Sequence, residues 1–284
     1  MAMRLSQSHV LGDVHRSDRP PESSLAMLDV GGQFMDLRRL VEEIFSDAVE
    51  WETDAFVFHY MADDQDVVRK DLADRLEGAL PRITADLGRI DSGKIHVYVY
   101  PTLEQFHRTI LMPEVPEWVV GRALGRDQLH IVSPANPGPM HDTDSLLTIA
   151  VHELAHCITW SLVELTLDFP MWLYEGVALY YAGQYRNPKT LPYIKTRSYP
   201  SLETLSDQRD LQAVEYVYDL GYTLVEFIIE HYGATALVDL LKSRGSIETA
   251  IGVSRKEFED AWHRYIEDRY LADEWLRDAW KAAE

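Results

Sequence analysis

Apolar and polar positions alternate through Ile95-His96-Val97-Tyr98-Val99-Tyr100, the period-two pattern of a half-buried strand. Ala55 to Tyr60 is an apolar and aromatic run of strand length. Around these two segments the periodicity is helical. Met35 to Ala48, Asp64 to Leu87 and Leu103 to Ile110 read as helices, with Pro81 a candidate break in the second. Trp118 to Leu124 and Gln128 to Val132 flank Gly125-Arg126-Asp127 and predict a hairpin. Further along, Leu211 to His231 is a long periodic helix that Gly233 should end, and Ser254-Arg255-Lys256-Glu257 is a capping box opening another helix to about Tyr270. Ala272 to Lys281 completes the chain as a short amphipathic helix, with Trp275, Leu276 and Trp280 expected to pack on the body.

Strand, helix, strand and hairpin followed by helices predict an α+β fold with a small mixed sheet. The expected organisation is a flexible N-terminal tail over 1–34, an α/β lobe over 35–165 and a mostly helical lobe over 166–284. No internal repeat is apparent.

Composition narrows the function. A chain of 284 residues with 46% hydrophobic content can bury a substantial core. Its net charge of −20 argues against nucleic acid or an anionic membrane as the main partner, since phosphate binding needs a basic face. Residues 1 to 25 are polar and hold no apolar run of signal-peptide length, and no later run would span a bilayer, so a cytoplasmic location is expected. Cys157, the only cysteine, rules out an internal disulfide.

The candidate chemistry lies in His152-Glu153-Leu154-Ala155-His156. On a helix, positions i and i+4 share a face, so the two imidazoles can converge on one metal ion, with Glu153 beside the ion as a base. Catalytic zinc takes three protein ligands and keeps one position open, so the histidine pair needs another side chain. Glu175 follows after 18 residues, on a helix that Asp168 could cap and Pro170 could open. Residues 163 to 169 suffice to reverse the chain and bring that helix back antiparallel to the first. Cys157 lies about 100° around the helix from His156 and is expected to be a small core residue. Thr159 and Leu162 stand where an HExxHxxGxxH motif would need Gly and His, which excludes that form.

His152, Glu153, His156 and Glu175 match HExxH-x18-E, and in this the chain resembles the gluzincin metallopeptidases, the group of thermolysin and the aminopeptidase N-like enzymes. Trp172-Leu173-Tyr174-Glu175-Gly176 also resembles the W-L-x-E-G stretch of the aminopeptidase branch. The layout from about Trp51 to Tyr270 is similar to compact peptidase MA-like bacterial domains. The resemblance implies a zincin-like fold, one Zn2+ held by His152, His156 and Glu175, water activation by Glu153, and a peptide or protein substrate. It also implies an oxyanion-stabilising tyrosine on a downstream helix, for which Tyr218 is the first candidate and Tyr222 the second. An exposed edge strand, either Gly121 to Leu124 or Gln128 to Val132, would pair with the substrate backbone.

The chain departs from the family pattern in three ways. There is no G-x-M-E-N segment; the corresponding stretch is Val120-Gly121-Arg122-Ala123-Leu124-Gly125. Leu179 stands where thermolysin-like enzymes carry an acidic residue supporting the metal ligands. The extra domains of the large aminopeptidases have no counterpart. The alternative function is a zincin-like domain that binds zinc, or regulates, without cleaving; retention of Glu153 weighs against it.

Overall fold

In the computed structural model of the chain, the described residues are 33–88, 93–110, 115–163, 169–207 and 210–272. The N-terminal tail, Asp168 and the helix expected over Ala272 to Lys281 fall largely or wholly outside them.

The fold is α+β, as the order of elements predicts, and it is consistent with a zincin-like domain. Helix α1 (Gln33–Ile44) precedes strands β1 (Val49–Glu52) and β2 (Phe56–Tyr60). A helical run then opens with a 3-10 turn and a π-helical segment, Val68–Leu72, before helix α2 (Ala73–Leu87). Strand β3 (Ile95–Tyr100), helix α3 (Leu103–Ile110) and the hairpin of β4 (Gly121–Ala123) and β5 (Gln128–Val132) follow. Four longer helices come next: α4 (Thr143–Leu162), α5 (Met171–Ala182), α6 (Leu211–Lys242) and α7 (Arg255–Ile266). No helix among the described residues is long and apolar enough to cross a membrane.

The sheet is mixed, in the order β1-β2-β3-β5-β4, with β2, β3 and β5 parallel and the outer strands antiparallel. Of the two segments expected as the exposed edge, β4 is the edge, while β5 is enclosed between β3 and β4. Register puts Phe56, Phe58, Ile95, Val97, Val99, Leu129 and Ile131 on one buried face, which β4 extends through Gly121 and Ala123 toward α4. The other face carries a row of rings. His59 bonds to His96 (3.0 Å), Tyr98 stacks between His59 and His130, and the Tyr100 hydroxyl donates to His130 Nδ1 (2.7 Å). His96 is therefore a strand residue with a local partner, and Phe45 closes edge-on over Tyr98 and Tyr100.

Two local expectations are corrected. Strand β1 was not anticipated, because Glu50 and Glu52 hide the alternation of Val49 and Trp51; pairing with β2 creates it. Pro81 does not break α2: it removes one helical hydrogen bond, but the buried Leu76, Ile83 and Leu87 anchor the helix on both sides. Gly233 (φ 82°) ends the regular helix begun at Leu211, as expected, and a further helical stretch held by the buried Leu237, Leu240 and Leu241 follows it to Lys242. The Ser254 and Glu257 capping box forms as expected.

Candidate metal centre

Helix α4 starts at a capping box in which Asp142 accepts from the Ser145 N–H (2.8 Å) while the Ser145 hydroxyl accepts from the Asp142 N–H (2.9 Å). The helix runs from the surface into the core, so that Leu146 to Thr159 is almost entirely buried. Its phase turns His152 and His156 toward α5, with the ring planes close to perpendicular (86°). Helix α5 begins after Pro170 and presents Glu175 to that pair. Glu175 Oε2 lies 3.3 Å from His152 Nε2 and 3.8 Å from His156 Nε2, and all three side chains are buried. Trp172 is core: Gly245, at φ 78°, leaves no room for a Cβ beside Pro170 and packs near the indole.

A close helix crossing brings the third element in. A Cβ on Gly176 would come within 2.9 Å of the Gly221 carbonyl oxygen, and one on Gly221 within 3.1 Å of the Gly176 Cα. Two glycines thus let α6 lie directly on α5, one residue from Glu175 and three from Tyr218. Burial pushes the Glu175 carboxyl up, but His152 first, then His156 and last the Tyr218 hydroxyl, which hydrogen-bonds it, hold it below its usual range. Tyr222, one turn on, packs instead on Tyr180 (5.4 Å) and Tyr185 (5.4 Å). Tyr216 sits on another face, against Tyr193 (4.7 Å).

The residues that support the ligand set were not anticipated. Gln184 Oε1 accepts from His152 Nδ1 (2.6 Å), fixing that ring with Nε2 toward Glu175, the service an acidic residue at the Leu179 position would give. Gly183 in the left-handed conformation (φ 68°) ends α5 and lets the chain turn so that Gln184 reaches back. The His156 ring stacks on Tyr174 (4.0 Å, 16°), whose hydroxyl accepts from Trp160 Nε1 (3.3 Å). Gly183 was a visible stop signal, but the destination of the Gln184 side chain had no signature in the sequence. Cys157 is buried with its thiol near the Gln128 carbonyl (3.5 Å), on the side of α4 facing the sheet.

Glu153 extends toward edge strand β4, where its Oε2 accepts from the Ala123 N–H (2.7 Å). Gly121 makes this approach feasible, because a Cβ there would meet Ile149 at 2.8 Å and the Glu153 Cγ at 3.1 Å. Burial pushes the Glu153 carboxyl up to about 7; His152, the Ala123 N–H and Arg122 oppose the shift and Glu175 adds to it. Burial also drives His156 down to about 3, so its imidazole is neutral and able to ligate.

The cluster fits a metal ion. Ligand atoms of His152, His156 and Glu175 lie within 4.8 Å of one another. A tetrahedral ion with bonds of about 2.0–2.1 Å separates its ligand atoms by about 3.4 Å, a value bracketed by the two imidazole-carboxylate distances. Glu175 Oε2, at the centre of the cluster, is buried without a hydrogen-bond partner, an uncompensated acceptor that a cation would satisfy.

Residues 76–268, about two thirds of the chain, match the peptidase MA superfamily. The chain belongs to this superfamily. No match is found among curated proteins. Membership implies a metallopeptidase-like domain, typically metal-dependent, acting on peptides or proteins. The matched span of this peptidase MA domain includes α4, α5 and the stretch of α6 that carries Tyr218.

Proposed function

We propose that the protein is a zinc-dependent peptidase of gluzincin type, in which His152, His156 and Glu175 hold one Zn2+. The observation that carries this reading is the convergence of two Nε2 atoms and one unpartnered carboxylate oxygen in a buried cluster with Glu153 alongside. A bound zinc supplies Lewis acidity, lowering the pKa of water toward about 7 and polarising a substrate carbonyl. The residues of the chain do the remaining work. Glu153, beside the ligand set and held by the Ala123 N–H, takes the proton of the attacking water and passes it to the leaving amine. Tyr218 donates to the developing oxyanion, a contribution of about 3–4 kcal/mol where single donors have been removed from other enzymes. Gln184 holds His152 in its ligating orientation. The substrate backbone lies along β4, whose outer side faces Glu153. The histidine-bearing and glutamate-bearing halves act as two lobes meeting at this cleft, and the expected location remains cytoplasmic.

The test is mass-spectrometric analysis of a diverse peptide mixture incubated with zinc-loaded protein, beside a Glu153→Gln variant and a chelated sample. New peptide termini should appear with the wild type alone, while the variant keeps its zinc. Full cleavage by Glu153→Gln, or none by zinc-replete wild type, would overturn the proposal.

A further inference from the structure

The edge strand carries a cation that forms no ion pair among the described residues. Hydrogen bonds from Leu124 N–H to Gln128 (2.8 Å) and from Val132 N–H to Val120 (2.9 Å) set the hairpin so that residues 120, 122 and 124 bond inward. Gly121 and Ala123 therefore turn their backbone groups outward, and the Ala123 N–H does reach Glu153. Their Cβ positions face α4, so Arg122 stands on the opposite face, across from His130. Arg122 is only partly exposed and makes no ion pair or hydrogen bond among the described residues, whereas Arg186 and Arg269 are held by Asp219 and Glu226. Burial pulls its guanidinium below the usual range, with Glu153 and Tyr174 opposing. His130 offers no compensation, being kept neutral by burial and by Arg122 itself. Glu153 acts on Arg122 through space without an ion pair, which leaves a half-desolvated cation incompletely compensated, and an incoming carboxylate relieves it.

An antiparallel peptide added to β4 would bond at Gly121 and at the Ala123 carbonyl, the Ala123 N–H being engaged by Glu153, and the residue opposite Arg122 would stand in a non-hydrogen-bonded position. Side chains there share a face with Cβ atoms about 4.5–5.5 Å apart, and opposite charges attract. We propose that Arg122 selects peptides carrying an acidic side chain at the position opposite it, an inference that rests on the peptidase function proposed above. In a chain of net charge −20, this would make the cleft locally attractive to a carboxylate that the rest of the surface repels.

The experiment is a Glu-for-Gln scan along a cleaved peptide, read as kcat/KM. Wild type should favour Glu over Gln by about fivefold at one position. Arg122→Gln should bring that ratio near one, and Arg122→Glu should transfer the preference to Lys at the same position. A wild type without preference, or a preference surviving in Arg122→Gln, overturns the inference. So does a preference that follows the free peptide C-terminus and vanishes on amidation. Binding of the same peptides to zinc-loaded Glu153→Gln protein, by fluorescence anisotropy, separates the two proposals. If wild type cleaves nothing, the peptidase function falls, and selective binding of the acidic peptide, lost on adding Arg122→Gln, still sustains the role of Arg122. Equal binding of Glu and Gln peptides, or none, overturns it.

Discussion

His152 and His156 on α4 and Tyr218 and Tyr222 on α6 have the same i, i+4 spacing, yet the protein treats the pairs differently. Both imidazoles reach Glu175, because α5 packs along that face of α4 and buries it. Of the tyrosines, only Tyr218 meets Glu175, while Tyr222 belongs to a half-buried aromatic group with Tyr180 and Tyr185. The glycine contact between Gly176 and Gly221 explains the difference. It lies between the two tyrosines on α6 and fixes which turn is opposite the carboxylate. Equal spacing places residues on one helix face; the neighbouring helix determines how much of that face reaches a given atom.

The sharpest way to break the comparison is to remove its common point. Glu175→Ala should reduce bound zinc, measured by elemental mass spectrometry, from one equivalent to near zero, with both tyrosine variants still loaded. Retention of one equivalent by Glu175→Ala would dissolve the ligand set. Next in size, Tyr218→Phe should lower kcat by about 10²–10³-fold, and Tyr222→Phe by no more than about twofold, as for a substitution away from the chemistry. Equal losses would show that the crossing does not discriminate between the two turns. Gln184→Ala should weaken zinc binding about 10–100-fold in chelator competition, with Gln184→Glu restoring much of it by supplying the same acceptor; an unchanged affinity would remove Gln184 from the centre. The smallest effect is mechanical. Gly221→Ala forces a methyl against the Gly176 backbone and should cost about 1–3 kcal/mol in a denaturant titration. An unchanged midpoint would mean that the crossing is looser than the structure indicates.

Much of this was legible beforehand where one local rule governs. The strand Ile95–Tyr100, the helix Leu103–Ile110 and the Ser254 capping box follow from periodicity or a four-residue motif. The strand Val49–Glu52 did not announce itself, since half its residues are acidic and its alternation has meaning only beside β2. Pro81 was visible as a breaker, but burial of the flanking Leu76, Ile83 and Leu87 keeps its segment helical, whereas Gly233 does interrupt the helix that precedes it. The candidate ligands could be named because helical spacing and the 18-residue interval are sequence properties. Gln184 and the Ala123 N–H could not, because a reach-back across a chain reversal and an outward-facing edge N–H depend on where other elements lie.

The sequence by itself determined the α+β class and the residues able to form a two-histidine, one-carboxylate cluster, because hydrophobic periodicity and i, i+4 geometry act within a single element. Tertiary structure alone decided that β4 is the edge, that Tyr218 rather than Tyr222 stands at Glu175, that Gln184 orients His152, and that Arg122 forms no ion pair among the described residues. These facts depend on contacts between distant elements, which packing fixes to within a few tenths of an ångström and which no local pattern records.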